Sequence, residues 1–326
     1  KKKKNVSTNP FYGNNTIMNT TFKNLNYPHP DIDILLTHME QQFIKQGGEA
    51  TLKTFYREKL ETTLNSKLKA EWLYDNDKIV GCYWLDLISP HYGNITLHSI
   101  EEKYANIIVD RLIQNGIFLN AQIEIVSITL KDIFKDLFKA HDLIINERQR
   151  MALWLEEIAP FHVPDDGHQF FFMSKDYCDI TGALSYEAHL ISKDYEHYPD
   201  MNSVSKRIKL EENVFNNRSG NVNKEASLMI CKNNTIMGYC LVVDVKKCWG
   251  YDLVPWIFDI SVHPNYMGQG LGKKVLQMSI NALIAQGLPM MGLAVTKTNT
   301  NAIGLYESLG FYWVDDFYEF IKPITL

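Results

Sequence analysis

Apolar positions between Ile32 and about Leu68 recur at helical spacing, first at Leu35, Met39 and Phe43, then at Phe55, Leu60 and Leu64. Gly47-Gly48 falls between the two runs, so the pattern predicts two helices broken at the glycine pair. The character then changes to strand. Glu71-Trp72-Leu73-Tyr74 and Ile79-Val80-Gly81-Cys82-Tyr83-Trp84 flank the polar turn Asp75-Asn76-Asp77, which predicts a β-hairpin. The same arrangement returns later, with Met229-Ile230-Cys231, the turn Lys232-Asn233-Asn234, and Ile236-Met237-Gly238-Tyr239-Cys240-Leu241. Ile79 and Gly81 align with Ile236 and Gly238 at an offset of 157 residues (236 less 79). Farther on, Glu124–Thr129 resembles Met291–Thr296 at an offset of 167 (291 less 124). Two related units of about 160 residues would fill the chain. The growth in offset places extra chain in the second copy, and that interval holds the Gly-rich loop. Residues 1–30, rich in Asn and Thr with three prolines, read as an extended or partly disordered lead-in.

Composition narrows the function classes. At 326 residues, 45% hydrophobic and 22% charged, the chain has material for a core in each half. A net charge of −5 gives no global basic field for nucleic acid or a membrane surface. No apolar run approaches the roughly 18–20 residues of a membrane span. The Lys-rich first residues lead into no apolar stretch of the signal-peptide kind. Cys82, Cys178, Cys231, Cys240 and Cys248 form no CxxC pair and have no His cluster beside them. They read as free thiols in a reducing compartment, with no metal site among them.

The chemistry is concentrated in one segment. Trp256–Pro264 is β-rich, and Val275–Ile284 carries a helical apolar face. Between them Gly268, Gly270 and Gly272 open a strand-to-helix turn, followed by Lys273 and Lys274. Glycines let backbone N–H groups encircle an anion, and the following helix N-terminus adds a favourable dipole. A phosphate is therefore expected here. A Walker loop fails, because Met267 stands where its first Gly is needed and Lys274 replaces its Ser or Thr. A dinucleotide fingerprint begun at Gly268 fails at Lys273, and one begun at Gly270 fails at Val275. A tight packing turn is the bland alternative.

The segment resembles motif A of the GNAT superfamily of N-acetyltransferases, whose loop reads Arg/Gln-x-x-Gly-x-Gly/Ala after a strand. Gly270 and Gly272 match, while Met267 occupies the Arg/Gln position. Downstream, Leu293–Thr296, Asn299, Ala302 and the ending Leu305-Tyr306-x-x-Leu309-Gly310-Phe311 are similar to the family's strand, Asn turn and helix. The resemblance covers about 185–322 strongly and 30–155 weakly. It implies an α/β (α+β) fold of two tandem GNAT-like acyl-CoA N-acyltransferase units, each a mixed twisted sheet flanked by helices. The expected division is a lead-in at 1–30, a degenerate N-terminal unit at 31–158 and an acetyl-CoA-binding unit at 159–326.

By the same resemblance, acetyl-CoA enters where the strands Ile257–Val262 and Leu293–Thr296 splay apart. Backbone groups of Ile260, Ser261 and Val262 would pair with the pantetheine arm. Gly268, Gln269, Gly270, Leu271, Gly272 and Lys273 would hold the pyrophosphate, and Asn299 would contact the arm. Tyr306 would protonate the departing thiolate, a task suited to a phenol held at the sulfur. Ribosomal-protein Nα-acetyltransferases of the family carry a Glu after the Leu of the second strand; here that position is Ala294, so the base is not carried over. Asp259 is a candidate base, since alternation places it opposite Phe258 and Ile260. His263 before Pro264 reads as structural.

The first copy runs from Ile95–Ile100 directly into Glu101-Glu102, with no glycine, and two carboxylates would repel phosphate. It is expected to be a scaffold or recognition surface, and to offer a protein partner a place to bind. Acceptors of the family bind opposite CoA. Here that side holds Tyr186, Asp194, Tyr195, Glu196, Tyr198 and Asp200, then Tyr312, Trp313, Asp315, Asp316 and Tyr318. The expected reaction is acetyl transfer from acetyl-CoA to a primary amine, of a peptide or protein first and an amino sugar or other small amine second. An acetyl-CoA-liganded binding module is the reading from another class. Neither nucleic acid nor a membrane is an expected partner. The expected location is the cytoplasm; tandem members include a bacterial effector, which this Asn- and Lys-rich style resembles, so export into a host is a further expectation.

Overall fold

A computed structural model describes residues 19–24, 32–45, 57, 70–87, 92–114, 125–128, 132–141, 143–192, 198, 201–249 and 251–321. The Gly47-Gly48 break, nearly all of the expected helix at 55–68 and most of 1–30 lie outside these residues. In the first half come β1 (Thr20–Asn24), α1 (Ile32–Lys45), β2 (Ala70–Asp75), β3 (Lys78–Leu87), β4 (Tyr92–Ser99), α2 (Ala105–Gln114), β5 (Ile125–Ile128), α3 (Asp132–Lys139) and β6 (Ile144–Trp154). In the second come β7 (Gln169–Phe172), α4 (Cys178–Ser192), α5 (Val204–Phe215), β8 (Asn221–Val222), β9 (Leu228–Lys232), β10 (Thr235–Cys248), β11 (Tyr251–Val262), α6 (Leu271–Ala285), β12 (Met290–Thr296), α7 (Thr300–Glu307) and β13 (Tyr312–Ile321). Within the expected lead-in, residues 20–24 form a strand paired with β2.

The repeat is physical as well as textual. The β2–β3 turn places Asn76 at φ 54°, and the β9–β10 turn places Asn233 at 50° and Asn234 at 61°. Asn tolerates this left-handed region, and a two-residue loop of that kind matches the strand twist. Both hairpins carry a bulge at the same offset. Leu73 pairs with Gly81 and Tyr74 with Ile79, leaving Val80 extra. Likewise Ile230 pairs with Gly238 and Cys231 with Ile236, leaving Met237 extra. The glycine after each bulge admits the next strand. A Cβ on Gly81 would lie 2.7 Å from the His98 carbonyl oxygen, and one on Gly238 would lie 2.9 Å from that of Ser261. In each half the next pair is parallel, β4 with β5 and β11 with β12.

Strands on either side of the expected 158/159 division pair with one another. The described strands form one sheet in the order β1-β2-β3-β4-β5-β13-β6-β12-β11-β10-β9-β7. The last strand of the chain, β13, pairs with β5 of the N-terminal unit. Its counterpart β6 pairs with β12 of the C-terminal unit along Met290–Thr296. Each unit is thus completed by the other's final strand, and β6 and β13 pair with each other at the centre. The cores follow the exchange. Met151 and Leu153 from β6 pack with Val275, Ile280 and Leu293. Tyr318 and Phe320 from β13 pack with Ile108, Leu112 and Phe138, where Phe320 stacks on Phe138 at 4.4 Å.

In the C-terminal unit, α6 and α7 cover one sheet face and α4 and α5 the other. Leu271, Val275, Leu276 and Ile280 of α6 are buried at helical spacing against the first face. Leu184 of α4 and Val214 of α5 pack on the second with Tyr239 and Leu241.

Candidate active site

The site begins where two parallel strands part. β11 and β12 share a single register pair, Trp256 with Gly292. A Cβ on Gly292 would sit 2.6 Å from the Trp256 ring, so the contact requires glycine. Beyond it β12 follows β6, held there by its full antiparallel ladder and by Arg148, whose Nη2 donates to the Ala294 carbonyl at 3.0 Å. The gap opens into a cavity of about 1050 Å³. Ile260, Val262, Leu293, Asn299 and Tyr306 lie on its wall, with Arg148 and Tyr198 on the side formed by the N-terminal unit's strand.

The glycine loop lies at the end of β11, on the surface. Gly268 and Gly270 have φ of 78° and 75°, and a Cβ on either would meet nothing within 4 Å. Glycine is therefore needed there for conformation, with open space above the backbone. Gly270 caps α6 without a side-chain bond. The first amides of α6 have no carbonyl partner inside the helix and point outward at its positive end. Gly272 packs closer, its Cβ position 3.5 Å from Val262 and 3.7 Å from Leu305. Of the two lysines, Lys274 pairs with Asp166, whose carboxyl that bond and His168 hold well below the usual range. Lys273 is exposed and Gln269 is exposed, while the Leu271 side chain is core. The expected residues at 268–273 thus form an open, amide-lined rim.

Tyr306 is 6% exposed, on the α7 side of the cavity beside Phe311. Asn299 starts α7, and its Oδ1 accepts from the Ala302 N–H at 3.2 Å. Asn299 also lies on the cavity wall. The His263 ring accepts from the Asn265 N–H at 3.2 Å and pairs with Glu187 at 3.1 Å.

The place expected for Asp259, opposite Phe258, requires correction. Leu241 pairs with Asp259 and Val242 with Ile257, so Phe258 is an extra residue in β11. The bulge breaks alternation and puts Phe258 and Asp259 on the same α4/α5 face. There Asp259 is 8% exposed and saturated with donors. It pairs with Arg207 and accepts from Tyr239, from Ser185 Oγ at 2.9 Å and from His189 Nε2 at 3.2 Å. Ser261, expected as a backbone contact, also turns its hydroxyl to Asp259 at 3.2 Å. Burial disfavours the charge, but Arg207, His189 and Tyr239 outweigh it and hold the carboxyl well below the usual range. Asp259 is a charge that organises its neighbours.

Behind it lies a second carboxyl. Glu211 is fully buried and meets Tyr239 Oη at 2.6 Å and Thr181 Oγ1 at 2.5 Å. Burial outweighs Arg207 and holds its carboxyl above the usual range. The two sites should respond differently to substitution. Asp259→Ala leaves Arg207 buried and unpaired and is expected to cost about 3–5 kcal/mol. Glu211→Gln keeps a hydrogen-bonding partner of the same shape for Tyr239 and Thr181 and should cost under about 1 kcal/mol. Urea unfolding of both variants checks this. Because folding lowers the Asp259 pKa, its contribution is complete above about pH 4, the unfolded value, and is lost as pH falls below it. The gap between wild type and Asp259→Ala should therefore narrow in acid.

Most of the expected acceptor residues are otherwise occupied. Asp315 pairs with Arg150 at 2.8 Å. Asp316 pairs with Lys297 at 2.6 Å and accepts from Trp313 at 2.8 Å. Tyr318 belongs to the N-terminal core, while Tyr312 and Trp313 are exposed. Tyr198 lines the cavity, bonding to Glu319 and Arg148. Asp194, Tyr195, Glu196 and Asp200 lie outside the described residues. Sequence reasoning missed Arg148, Arg207 and His189, which reach the site from three different elements; only the helical spacing of Ser185 and His189 hinted that both face one way. Among the described residues, no group of three His, Cys, Asp or Glu could hold a metal, and no helix is long and apolar enough to cross a membrane.

Comparison with known proteins agrees with this geometry. Residues 190–311 match the model of the Acetyltransferase (GNAT) family. A stretch of 55 residues is 46% identical to the ribosomal protein bS18 alanine N-acetyltransferase of Escherichia coli strain K12, covering 17% of this chain and 37% of that protein. The chain thus spans little more than a third of that curated relative. Among solved structures, a GCN5-related N-acetyltransferase from Sphaerobacter thermophilus superimposes with a TM-score of 0.60 at 15% identity, over 93% of this chain and 95% of its own. A tandem GNAT protein from the clavulanic acid biosynthesis pathway does so at 0.52 and 13% identity, over 93% and 99%. These two likenesses concern the fold. Residues 190–311 therefore match the Acetyltransferase (GNAT) family, within a chain whose fold is similar to that of a tandem GNAT protein.

Proposed function

We propose that this protein transfers the acetyl group of acetyl-CoA to a primary amine, and that one site, in the C-terminal unit, does so. The carrying observation is the parting of β11 from β12 beside an open glycine rim, with Tyr306 inside the resulting cavity. The rim amides of 268–273 suit the pyrophosphate, and the free edge of Ile260–Val262 suits the pantetheine amides. Attack of the neutral amine on the thioester places charge on the carbonyl oxygen, where backbone N–H donors of β11 stabilise it. The C–S bond then breaks, and Tyr306 protonates the thiolate.

The N-terminal unit is proposed to hold no CoA. Its β4 leads through exposed Glu101 and Glu102 straight into a short helical turn and α2. Its strand β6 instead supplies Arg148 and Arg150 to the C-terminal cavity, so this half helps to shape the acceptor side.

The acceptor is proposed to be a peptide or protein amine, a reading supported by the identity with an enzyme named for acetylating a ribosomal protein's alanine. The wall that β6 and β13 set around the cavity favours an amino sugar or other small amine as the second reading. Five free cysteines suit a reducing compartment and hence the cytoplasm, with export to a host cell the further extension. The test is CoA thiol release from acetyl-CoA with three acceptor pools: peptides with free N-termini and lysines, amino sugars, and polyamines. Release with one pool is expected and names the acceptor class. Saturable acetyl-CoA binding without release from any pool would replace the enzyme by a binding module.

A further inference from the structure

We propose that the acceptor is a peptide whose acidic side chains lie about five residues from the reacting amine, received by Arg218 and Lys246 at the far end of the cavity. The inference deepens the peptide reading and rests on it. The chain carries a net charge of −5, yet the cavity wall holds Arg148, Arg150, Arg207, Arg218 and Lys246 against the carboxylates Asp244, Asp259 and Glu319. Most of these charges are already answered. Arg148 pairs with Glu319 at 3.3 Å, Arg150 with Asp315 at 2.8 Å, and Arg207 with Asp259. Asp244 accepts from Asn223 Nδ2 at 3.2 Å, and the same amide meets Gln286 at 2.9 Å. Arg218 and Lys246 are exposed, and neither forms an ion pair among the described residues.

The fold brings these two cations to one place. Arg218 follows the end of α5, where its N–H donates to the Asn213 carbonyl at 3.1 Å. β8 then runs antiparallel to β10, pairing Asn221 with Asp244 and Val222 with Val243. The turn before β8 therefore lies alongside residues 245 and 246, so close that a Cβ on Gly220 would sit 2.8 Å from the Asp244 carbonyl oxygen. Trp256 and Cys248 line the same end of the cavity.

Distance sets the spacing. Lys246 pairs with Leu253 on β11, seven residues before Ile260 (260 less 253), and one of the seven is the bulged Phe258. The thioester would lie by Ile260. At about 3.3 Å per residue, the two places are about 20 Å apart. An extended peptide rises at the same rate, and the long Arg and Lys side chains cover part of the gap, which leaves about five residues between amine and acid. An amino sugar does not span that length, and a polyamine would be repelled by both cations.

The test compares kcat/KM for heptapeptides that differ only at positions five and six, which hold Asp-Asp, Asn-Asn or Arg-Arg. Each is made with a free N-terminus, and again blocked with a lysine at position one. In wild type the acidic peptide is expected to exceed the neutral one about tenfold, a preference that shrinks with added salt. Moving the acidic pair to positions two and three should abolish it; a preference retained there overturns the spacing. Arg218→Gln with Lys246→Gln should erase the preference, and Arg218→Glu with Lys246→Glu should make the arginine peptide lead, with the KM for acetyl-CoA unchanged. Both side chains are exposed, so melting temperatures should match wild type. Equal kcat/KM for the three peptides in wild type, or an acid preference that survives both double variants, overturns the proposal and leaves acetyl transfer standing. So does turnover confined to amino sugars or polyamines. Absence of turnover with every acceptor overturns both.

Discussion

Tyr306→Phe is expected to lower turnover by about a hundredfold or more while acetyl-CoA affinity stays nearly unchanged. The substitution removes one oxygen and keeps the ring, so the packing with Phe311 and the wall of the cavity survive. What goes is the proposed proton donor to the departing thiolate. On the proposed reading, binding would draw on backbone amides at 268–273 and on the edge of β11, neither of which involves the phenol. The expected signature is therefore a fall in kcat alone, read by thiol release beside an affinity titration. Equal turnover would remove Tyr306 from the chemistry.

The second large effect concerns folding. Residues 159–326 made alone are expected to form no cooperatively unfolding domain, although they contain the whole family match. Their β12 would lose its ladder to β6 from Met290 to Thr296, and β13 would lose both neighbours. Met151 and Leu153 would leave the core around Val275 and Leu293, each costing about 2–5 kcal/mol by analogy with large-to-small core substitutions. That loss is comparable to the whole stability of a domain. A fragment of 143–326, which keeps β6, should recover a cooperative urea transition followed by circular dichroism. Cooperative unfolding of 159–326 at undiminished stability would show the exchange to be unimportant.

The exchange also marks where sequence reading ends. Hairpins, their Asn turns and the glycine rim were legible because each is set by a few adjacent residues: Asn233 and Asn234 by their left-handed φ, Gly268 and Gly270 by theirs. The repeat was legible because Gly81 and Gly238 answer the same demand, the approach of the next strand's carbonyl. The pairing of β13 with β5 had no local signature, since an apolar strand fits either unit's sheet. Asp259 was given a place opposite Phe258 because strict alternation was assumed, and one extra residue in β11 undid it. The meeting of His189, Arg207 and Asp259 depended on how α4 and α5 pack over β11, a tertiary fact.

One position separates the account from a merely packed turn at the glycines. Gly270→Val puts a branched side chain where φ is 75° and where the pyrophosphate would rest. Titration calorimetry of acetyl-CoA into wild type and this variant reads both the number of sites and their place. The account predicts one site per chain in wild type, weakened at least tenfold in Gly270→Val with folding retained. Two equivalent sites per chain, or a single site indifferent to Gly270→Val, would contradict it.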